Sequence, residues 1–101
     1  MSKTLTTVNY TVATAGVRVQ LSATSLVARE VAIQAKNGNG GTLYLGNSTV
    51  NSANGWQLNA GQSFSIGEMD MITSENRIDL STLYIDTSNS GDQAILAYIP
   101  Y

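Results

Sequence analysis

Carboxylates are the residues in this sequence with the clearest capacity for acid–base or metal chemistry. Four of the seven acidic residues cluster in one stretch, and they are Glu68, Asp70, Glu75 and Asp79. Paired carboxylates can hydrolyse glycosidic bonds, and carboxylate oxygens are the ligands that Ca²⁺ prefers. The spacing of these four matches no calcium-binding loop, so a solvated acidic loop is the favoured interpretation. We therefore assign no catalytic residue, no metal and no cofactor.

Nucleophilic catalysis lacks its usual partners in this chain. The 101 residues include no His and no Cys, which removes imidazole bases, thiolate nucleophiles, thiolate zinc sites and disulfides. The two lysines, Lys3 and Lys36, lie in the N-terminal segment and beside an Asn/Gly turn, where neither is placed to activate a serine. The sequence therefore predicts a protein that is not an enzyme.

Charge is scarce as well. Charged residues make up 12% of the chain and the net charge is -2, whereas nucleic acids need clustered Lys and Arg. We therefore expect no nucleic-acid partner. No apolar run is long enough to cross a membrane, and from the polar residues 1–4 we expect no secretory signal. A weakly charged surface needs little desolvation when it packs against another protein, which favours a component of an assembly.

Four aromatic residues are candidates for contact with a partner or with another subunit, and they are Tyr10, Tyr44, Trp56 and Tyr84. Tyr44 and Tyr84 alternate with apolar neighbours that should face a core, so both rings are expected on an outer surface. Tyr and Trp are enriched at interfaces because they bury a large area and keep a polar group. Trp56 lies among asparagines, and three roles stay open for it: a core residue, an interface anchor or a platform on which a sugar ring stacks.

The elements that must hold these residues are strands. Apolar and polar residues alternate with period two in short runs, at 17–21, 31–36, 42–45, 63–66 and 82–86. In the first of these, Val17, Val19 and Leu21 should share one inward face. The run 93–99 is apolar on both faces, which predicts a strand covered on both sides. Together the runs predict an all-β, single-domain antiparallel β-sandwich over residues 1–101, jelly-roll-like, with about eight short strands.

Glycine and asparagine separate the runs. The segment 37–41 reads Asn-Gly-Asn-Gly-Gly, and the segment 88–92 reads Ser-Asn-Ser-Gly-Asp. Residues of these types accept positive φ and are typical of tight turns, so each segment is expected to close a hairpin. Residues 1–9 are expected to form an extended N-terminal arm, although weak alternation runs over 6–12.

Several segments together resemble a known family. They are TAGVRVQLS (14–22), VAIQAK (31–36), GTLYLGNSTV (41–50), Gly55 with Leu58, AGQS (60–63) and LYID (83–86). This arrangement of strands and turns, over about residues 14–98, resembles the small β-sandwich virion proteins of tailed bacteriophages. The resemblance implies a non-enzymatic capsid decoration (cement) protein, a homotrimer on the outer surface of the capsid. Its implied partner is the major capsid protein, and it would be made in the host cytoplasm.

Two other interpretations stay open. Related small sandwiches occur in head fibres, tails and baseplates, so the resemblance does not determine the place in the virion. The alternative from a different class is a carbohydrate-binding, lectin-like module, which would use Trp56 to bind a surface glycan. Quenching of the Trp56 fluorescence by polysaccharide distinguishes this module from a structural protein.

Overall fold

The computed structural model of the chain describes residues 4–66 and 78–100. These residues form β-strands and a single turn of 3-10 helix. The strands are β1 (Thr6–Thr11), β2 (Val19–Gln20), β3 (Val27–Ala35), β4 (Leu43–Gly46), β5 (Trp56–Leu58), β6 (Ser63–Ile66), β7 (Ile78–Asp79), β8 (Tyr84–Thr87) and β9 (Gln93–Pro100). The 3-10 helix, Leu80–Thr82, lies between β7 and β8.

The strands form two antiparallel sheets that pack face to face. The first sheet has the order β1-β9-β3-β6, with the short β7 also paired to β3, and the second sheet has the order β2-β8-β4-β5. Most connections therefore cross from one sheet to the other. With β7 set aside, the eight remaining strands make the two four-stranded sheets of a jelly roll. The prediction of an all-β, jelly-roll-like antiparallel sandwich is confirmed.

The core lies between the sheets and is built from alternate strand residues. On β3, Val31, Ile33 and Ala35 are fully buried, as their spacing of two residues along the strand predicts. From the second sheet, Leu43 and Ile85 are buried in the same core. This register leaves every second residue of these strands on an outer face of the sandwich, where function must be sought.

The glycine-rich turns 37–41 and 88–92 do not close hairpins, because β3 and β9 belong to the first sheet while β4 and β8 belong to the second. Both turns cross between the sheets, and they meet at one end of the sandwich. The buried carboxylate of Asp92 accepts the N–H groups of Gly40 and Gly41 at 3.0 and 2.9 Å. The expected hairpins are therefore wrong, because the strands that flank each turn lie in different sheets. The Asp92 carboxylate at the end of the turn 88–92 joins the two turns by satisfying two backbone donors of the turn 37–41.

Val17 does not share the inward face predicted for it. Its N–H is bonded to the Thr14 carbonyl at 3.0 Å, which closes a turn, and Gly16 within that turn has a φ of 90°. The strand β2 begins only at Val19. Val17 is 59% exposed, whereas Leu21 is buried. Alternation orients side chains only within extended backbone, so the turn removes Val17 from the pattern.

The structure describes only part of the expected N-terminal arm and only part of the acidic stretch. Residues 6–9 of the expected arm lie in β1, which pairs with β9 over its whole length, so the weak alternation over 6–12 indicates a strand. Residues 1–3 lie outside the described residues. So do Glu68, Asp70 and Glu75 of the acidic stretch.

Candidate functional site

The outer face of the second sheet is covered by the chain itself. Tyr44 lies on this face, as its alternation predicts, but it is only 8% exposed, because the loop 47–55 between β4 and β5 packs over it. A Cβ added to Gly55 would sit 2.5 Å from the Tyr44 Cβ and 2.9 Å from Val50 Cγ2. Glycine at position 55 therefore permits the close approach of the loop. The prediction that the Tyr44 ring is exposed is wrong because this loop buries it.

A second loop, residues 13–17, covers the same face beside Tyr44. Asp86 is the cross-strand partner of Tyr44 and is 4% exposed. Its carboxylate accepts the N–H of Gly16 at 2.9 Å and the N–H of Thr87 at 2.8 Å. Tyr84 lies two residues earlier on the same face and is half-buried. This face therefore offers a partner part of Tyr84 and very little of Tyr44.

The outer face of the first sheet carries no such cover within the part of the chain that the structure describes. Its side chains form rows across the strands, set by the registers of β1, β9, β3 and β6. One row contains small residues only, and it consists of Thr7, Ala97, Ala32 and Ser65. The two alanines are half-buried, while Thr7 and Ser65 are exposed. This row is the floor of a depression that we call the β9 trough.

Larger side chains flank the floor of the β9 trough. Ile99 pairs with Glu30 on one side, and Leu5, which is 58% exposed, also lines the depression there. Ile95 pairs with Gln34 in the row on the other side. The groove against the Ile99 wall has a volume of about 310 Å³. That volume is at the lower end of the range of pockets that bind a small ligand, and it is large enough to receive side chains of a partner.

The β9 trough is apolar and weakly charged. Glu30 is the one carboxylate among the residues that line the groove. At the far end of the same face, the Lys36 ammonium donates to Gln93 Oε1 at 2.9 Å. A partner seated on the trough would desolvate its alanines and isoleucines together with the exposed Thr7 and Ser65, and each Å² of apolar surface removed from water contributes about 25 cal/mol. The arrangement suits contact with another protein.

Tyr10 lies on the core side of β1. Its hydroxyl donates a hydrogen bond to the Leu21 carbonyl, which joins the first sheet to the segment that follows β2 in the second. Burial, with a smaller contribution from Tyr98, raises the pKa of Tyr10 above its ordinary value. This position favours a structural role for Tyr10 as a tie between the sheets, rather than the docking role that its residue type suggests.

Trp56 is the most exposed of the four aromatic candidates. It is 57% exposed and packs on Phe64, with 5.0 Å between the ring centroids and 40° between the ring planes. The two rings come from β5 and β6, which are edge strands of the two sheets, so together they close that edge of the sandwich. A nearby amide is already used by the loop, since Asn54 Nδ2 donates to the Thr49 carbonyl at 3.2 Å. The sequence leaves three roles open for Trp56, and this exposure shows that the role of a core residue is wrong.

Asp79 is the member of the acidic stretch that the structure describes. Its carboxylate accepts the Ser25 hydroxyl at 2.7 Å and the N–H groups of Ser81 and Leu26 at 3.0 and 3.1 Å. These bonds, that of Ser25 above all, hold the pKa of Asp79 well below its ordinary value. The same carboxylate caps the 3-10 helix. Its contacts are those of a structural cap that keeps its negative charge.

The sequence does not identify the β9 trough as a site, and its patterns single out neither the floor residues Ala32 and Ala97 nor the wall residue Ile99. The signal for them is the apolar second face of residues 93–99, which predicts a strand covered on both sides. The structure places β9 inside the first sheet, with its inner face on the core and its outer face half-exposed. No residue of the ranges 4–66 and 78–100 covers this outer face, so a second cover over β9 stays a prediction.

Residues 4–66 and 78–100 contain no group of three or more His, Cys, Asp or Glu placed to hold a metal ion. Over the same ranges, no helix has the length and apolar character needed to cross a membrane. Neither a scan against protein-family models nor a search of curated proteins found a match to this chain. Its function is therefore inferred from the geometry of the two outer faces, together with the resemblance noted in the sequence.

Proposed function

We propose that this chain is a non-enzymatic virion protein of a tailed bacteriophage, and specifically a capsid decoration (cement) protein that binds the assembled head shell. The observation that carries the proposal is the β9 trough, an apolar and weakly charged sheet face. On its other sheet the chain buries Tyr44 and Asp86 of the outer face under its own loops. Exposed apolar faces of this kind mark protein-interaction sites, and the partner that the proposal names is the major capsid protein.

Such a protein stabilises a shell by mass action. If it binds assembled coat subunits and not dissociated ones, each occupied site shifts the equilibrium toward the shell. At a free concentration one hundred times the Kd, one site contributes about 2.7 kcal/mol. The contribution is repeated at every equivalent site of a capsid. A copy that contacts two coat subunits at once opposes their separation directly.

The location and the assembly come from the resemblance. We propose the outer surface of the capsid as the location and a homotrimer as the assembly, because linked copies bind a repetitive lattice with higher avidity. Light scattering on a size-exclusion column tests the assembly. A native mass three times the 10.7 kDa of the chain supports a preformed trimer, and a mass equal to one chain contradicts it.

Substitution of Ala97 by Arg tests the β9 trough as the docking surface. The new side chain would fill the floor and add a charge, while its position on the outer face spares the core. Gln57→Arg is the matched control, because Gln57 is exposed on β5 of the second sheet. Each variant is added to heads that lack the protein, and its occupancy is measured by quantitative electrophoresis of purified particles.

We expect Ala97→Arg to weaken binding about tenfold or more, which corresponds to at least about 1.4 kcal/mol. Gln57→Arg should bind as the unchanged chain does. Circular dichroism melting establishes that both variants are folded. Equal occupancy by the two folded variants contradicts a docking role for the trough.

Carbohydrate binding is the second candidate function, favoured by the exposure of Trp56 on top of Phe64. A flat aromatic surface can stack on the apolar face of a sugar ring. The chain contains a single Trp, so its fluorescence reports on this site alone. Saturable quenching by a host polysaccharide supports the module, and no response across a broad glycan set contradicts it.

A further inference from the structure

Three Asn-Gly pairs lie in loops of this chain, and they are Asn37-Gly38, Asn39-Gly40 and Asn54-Gly55. In such a pair the glycine nitrogen can attack the asparagine Cγ. The new C–N bond closes a succinimide ring and ammonia leaves. Water then opens the ring at either carbonyl, which gives aspartate or isoaspartate. The attack needs a glycine N–H that is not held by an acceptor and an asparagine side chain that can rotate toward it.

The pair Asn39-Gly40 is held in an unreactive arrangement. The Gly40 N–H donates to Asp92 Oδ1 at 3.0 Å, which occupies the nucleophile. The Asn39 amide is held at both ends by the backbone of Gln93, because Nδ2 donates to its carbonyl at 2.7 Å and Oδ1 accepts its N–H at 2.9 Å. Reaction at this pair requires that all three hydrogen bonds break.

The pair Asn54-Gly55 is held in the same way. The Gly55 N–H donates to the Asn51 carbonyl at 3.0 Å. The Asn54 amide donates through Nδ2 to the Thr49 carbonyl at 3.2 Å and accepts the Asn51 N–H at 2.9 Å. Gly55 is also packed against Tyr44, so the loop has little room to turn the nitrogen toward the side chain.

The pair Asn37-Gly38 lacks both restraints, the hydrogen bond from the glycine N–H and the hydrogen bonds of the asparagine amide. Both residues are exposed, in a turn closed by the Asn39 N–H on the Lys36 carbonyl at 3.1 Å. Gly38 has a φ of 106°, and a Cβ at its position would meet nothing within 4 Å. Among the hydrogen bonds of the described residues, none engages the Asn37 side chain or the Gly38 N–H. We propose that Asn37 is a selective site of spontaneous deamidation in the folded protein.

The modification changes the charge of one end of the sandwich. It converts a neutral amide into a carboxylate, so the net charge of the chain goes from -2 to -3. The new charge lies next to Lys36, which bonds Gln93 at the far end of the outer face of the first sheet. This inference rests on the turn alone and does not depend on the proposed function.

The experiment incubates the folded chain in warm, mildly alkaline buffer and follows the three pairs over time. Cleavage after Lys36 leaves all three in one tryptic peptide that extends to Arg77, so fragment-ion mass spectrometry must locate each new acid. We expect Asn37 to convert about tenfold or more faster than Asn39 and Asn54, because each of those must first break several hydrogen bonds. Conversion of Asn39 or Asn54 as fast as Asn37 would overturn the proposal.

The unfolded chain and one variant complete the test. In strong denaturant the three pairs share the same local chemistry, so their rates should converge. A preference for Asn37 that persists unchanged in denaturant would show that the fold is not its cause. The Gln side chain is one methylene longer and cannot close the five-membered ring. Asn37→Gln should therefore abolish most of the acidic species seen on isoelectric focusing. An acidic species that accumulates at the original rate in this variant would also overturn the proposal.

Discussion

The outer faces of the two sheets differ in what covers them. On the second sheet, the loops 13–17 and 47–55 bury Tyr44 and Asp86. On the first sheet, Ala32, Ala97 and Ile99 stay half-exposed in the β9 trough. Both faces carry apolar or aromatic residues at alternating strand positions, so the pattern alone does not distinguish them.

The difference shows two ways in which an outer face of a jelly roll can lose its contact with water. A long hairpin loop can fold back over its own sheet, as residues 47–55 do, provided that a glycine lets the backbone come close. Over residues 4–66 and 78–100 no loop covers the first sheet in this way, and we propose that another protein covers that face instead. Substitutions on the covered face should therefore reduce the free energy of unfolding, and substitutions on the open face should reduce binding to a partner.

Gly55→Val has the largest expected effect on stability. Its Cβ would lie 2.5 Å from the Tyr44 Cβ and 3.1 Å from the Asn51 carbonyl oxygen, so the loop must lift. Overpacking of this kind costs about 1–3 kcal/mol, and we expect the upper end in denaturant unfolding. Ala32→Val is the matched control on the open face and should change the free energy of unfolding by about 0.5 kcal/mol or less. Equal losses in the two variants contradict the comparison.

Asp86→Ala should have the next largest effect. The substitution leaves the N–H groups of Gly16 and Thr87 without their acceptor beneath the loop 13–17, which costs about 2 kcal/mol. Glu30→Ala removes a carboxylate from the open face and should stay within about 0.5 kcal/mol of the unchanged chain. The same unfolding titration measures both, and a loss in Glu30→Ala as large as that in Asp86→Ala contradicts the distinction between the faces.

Tyr10→Phe should have a smaller effect, since it removes one hydrogen bond between the sheets. We expect a loss of about 1 kcal/mol at neutral pH. Folding raises the pKa of Tyr10, so its contribution is fully present below the unfolded pKa of about 10 and is lost as pH rises through the folded pKa. The stability difference between the two chains should therefore shrink at alkaline pH, and a difference that widens there contradicts the assignment.

The inner faces of the strands could be predicted from the sequence because their orientation depends on near neighbours. Val31 and Ile33 are two residues apart in extended backbone, so they share one face, and their larger apolar side chains place that face toward the core. Val17 has the same pattern but lies in a turn, and Tyr44 is buried by a loop that folds back over its strand. The exposure of Val17 and the burial of Tyr44 depend on contacts that the alternation of residue types does not encode.

The turns and the candidate site were harder to predict for related reasons. Glycine and asparagine supply positive φ to a hairpin and to a crossing connection alike, and the choice here depends on Asp92 reaching Gly40, 52 positions away in the sequence. A search for aromatic anchors finds Tyr10 and Trp56. It passes over the proposed docking face, whose floor is made of small residues such as Ala97.

Chemical protection of single cysteines tests the docking role of the β9 trough most directly. The chain has no Cys, so Ala97→Cys and Gln57→Cys each place one thiol on an outer face. Both variants are labelled with a maleimide, first alone and then bound to heads at saturating occupancy. We predict that binding slows labelling of Ala97→Cys about tenfold or more and leaves Gln57→Cys unchanged. Labelling of Ala97→Cys at the same rate in both states would contradict the account.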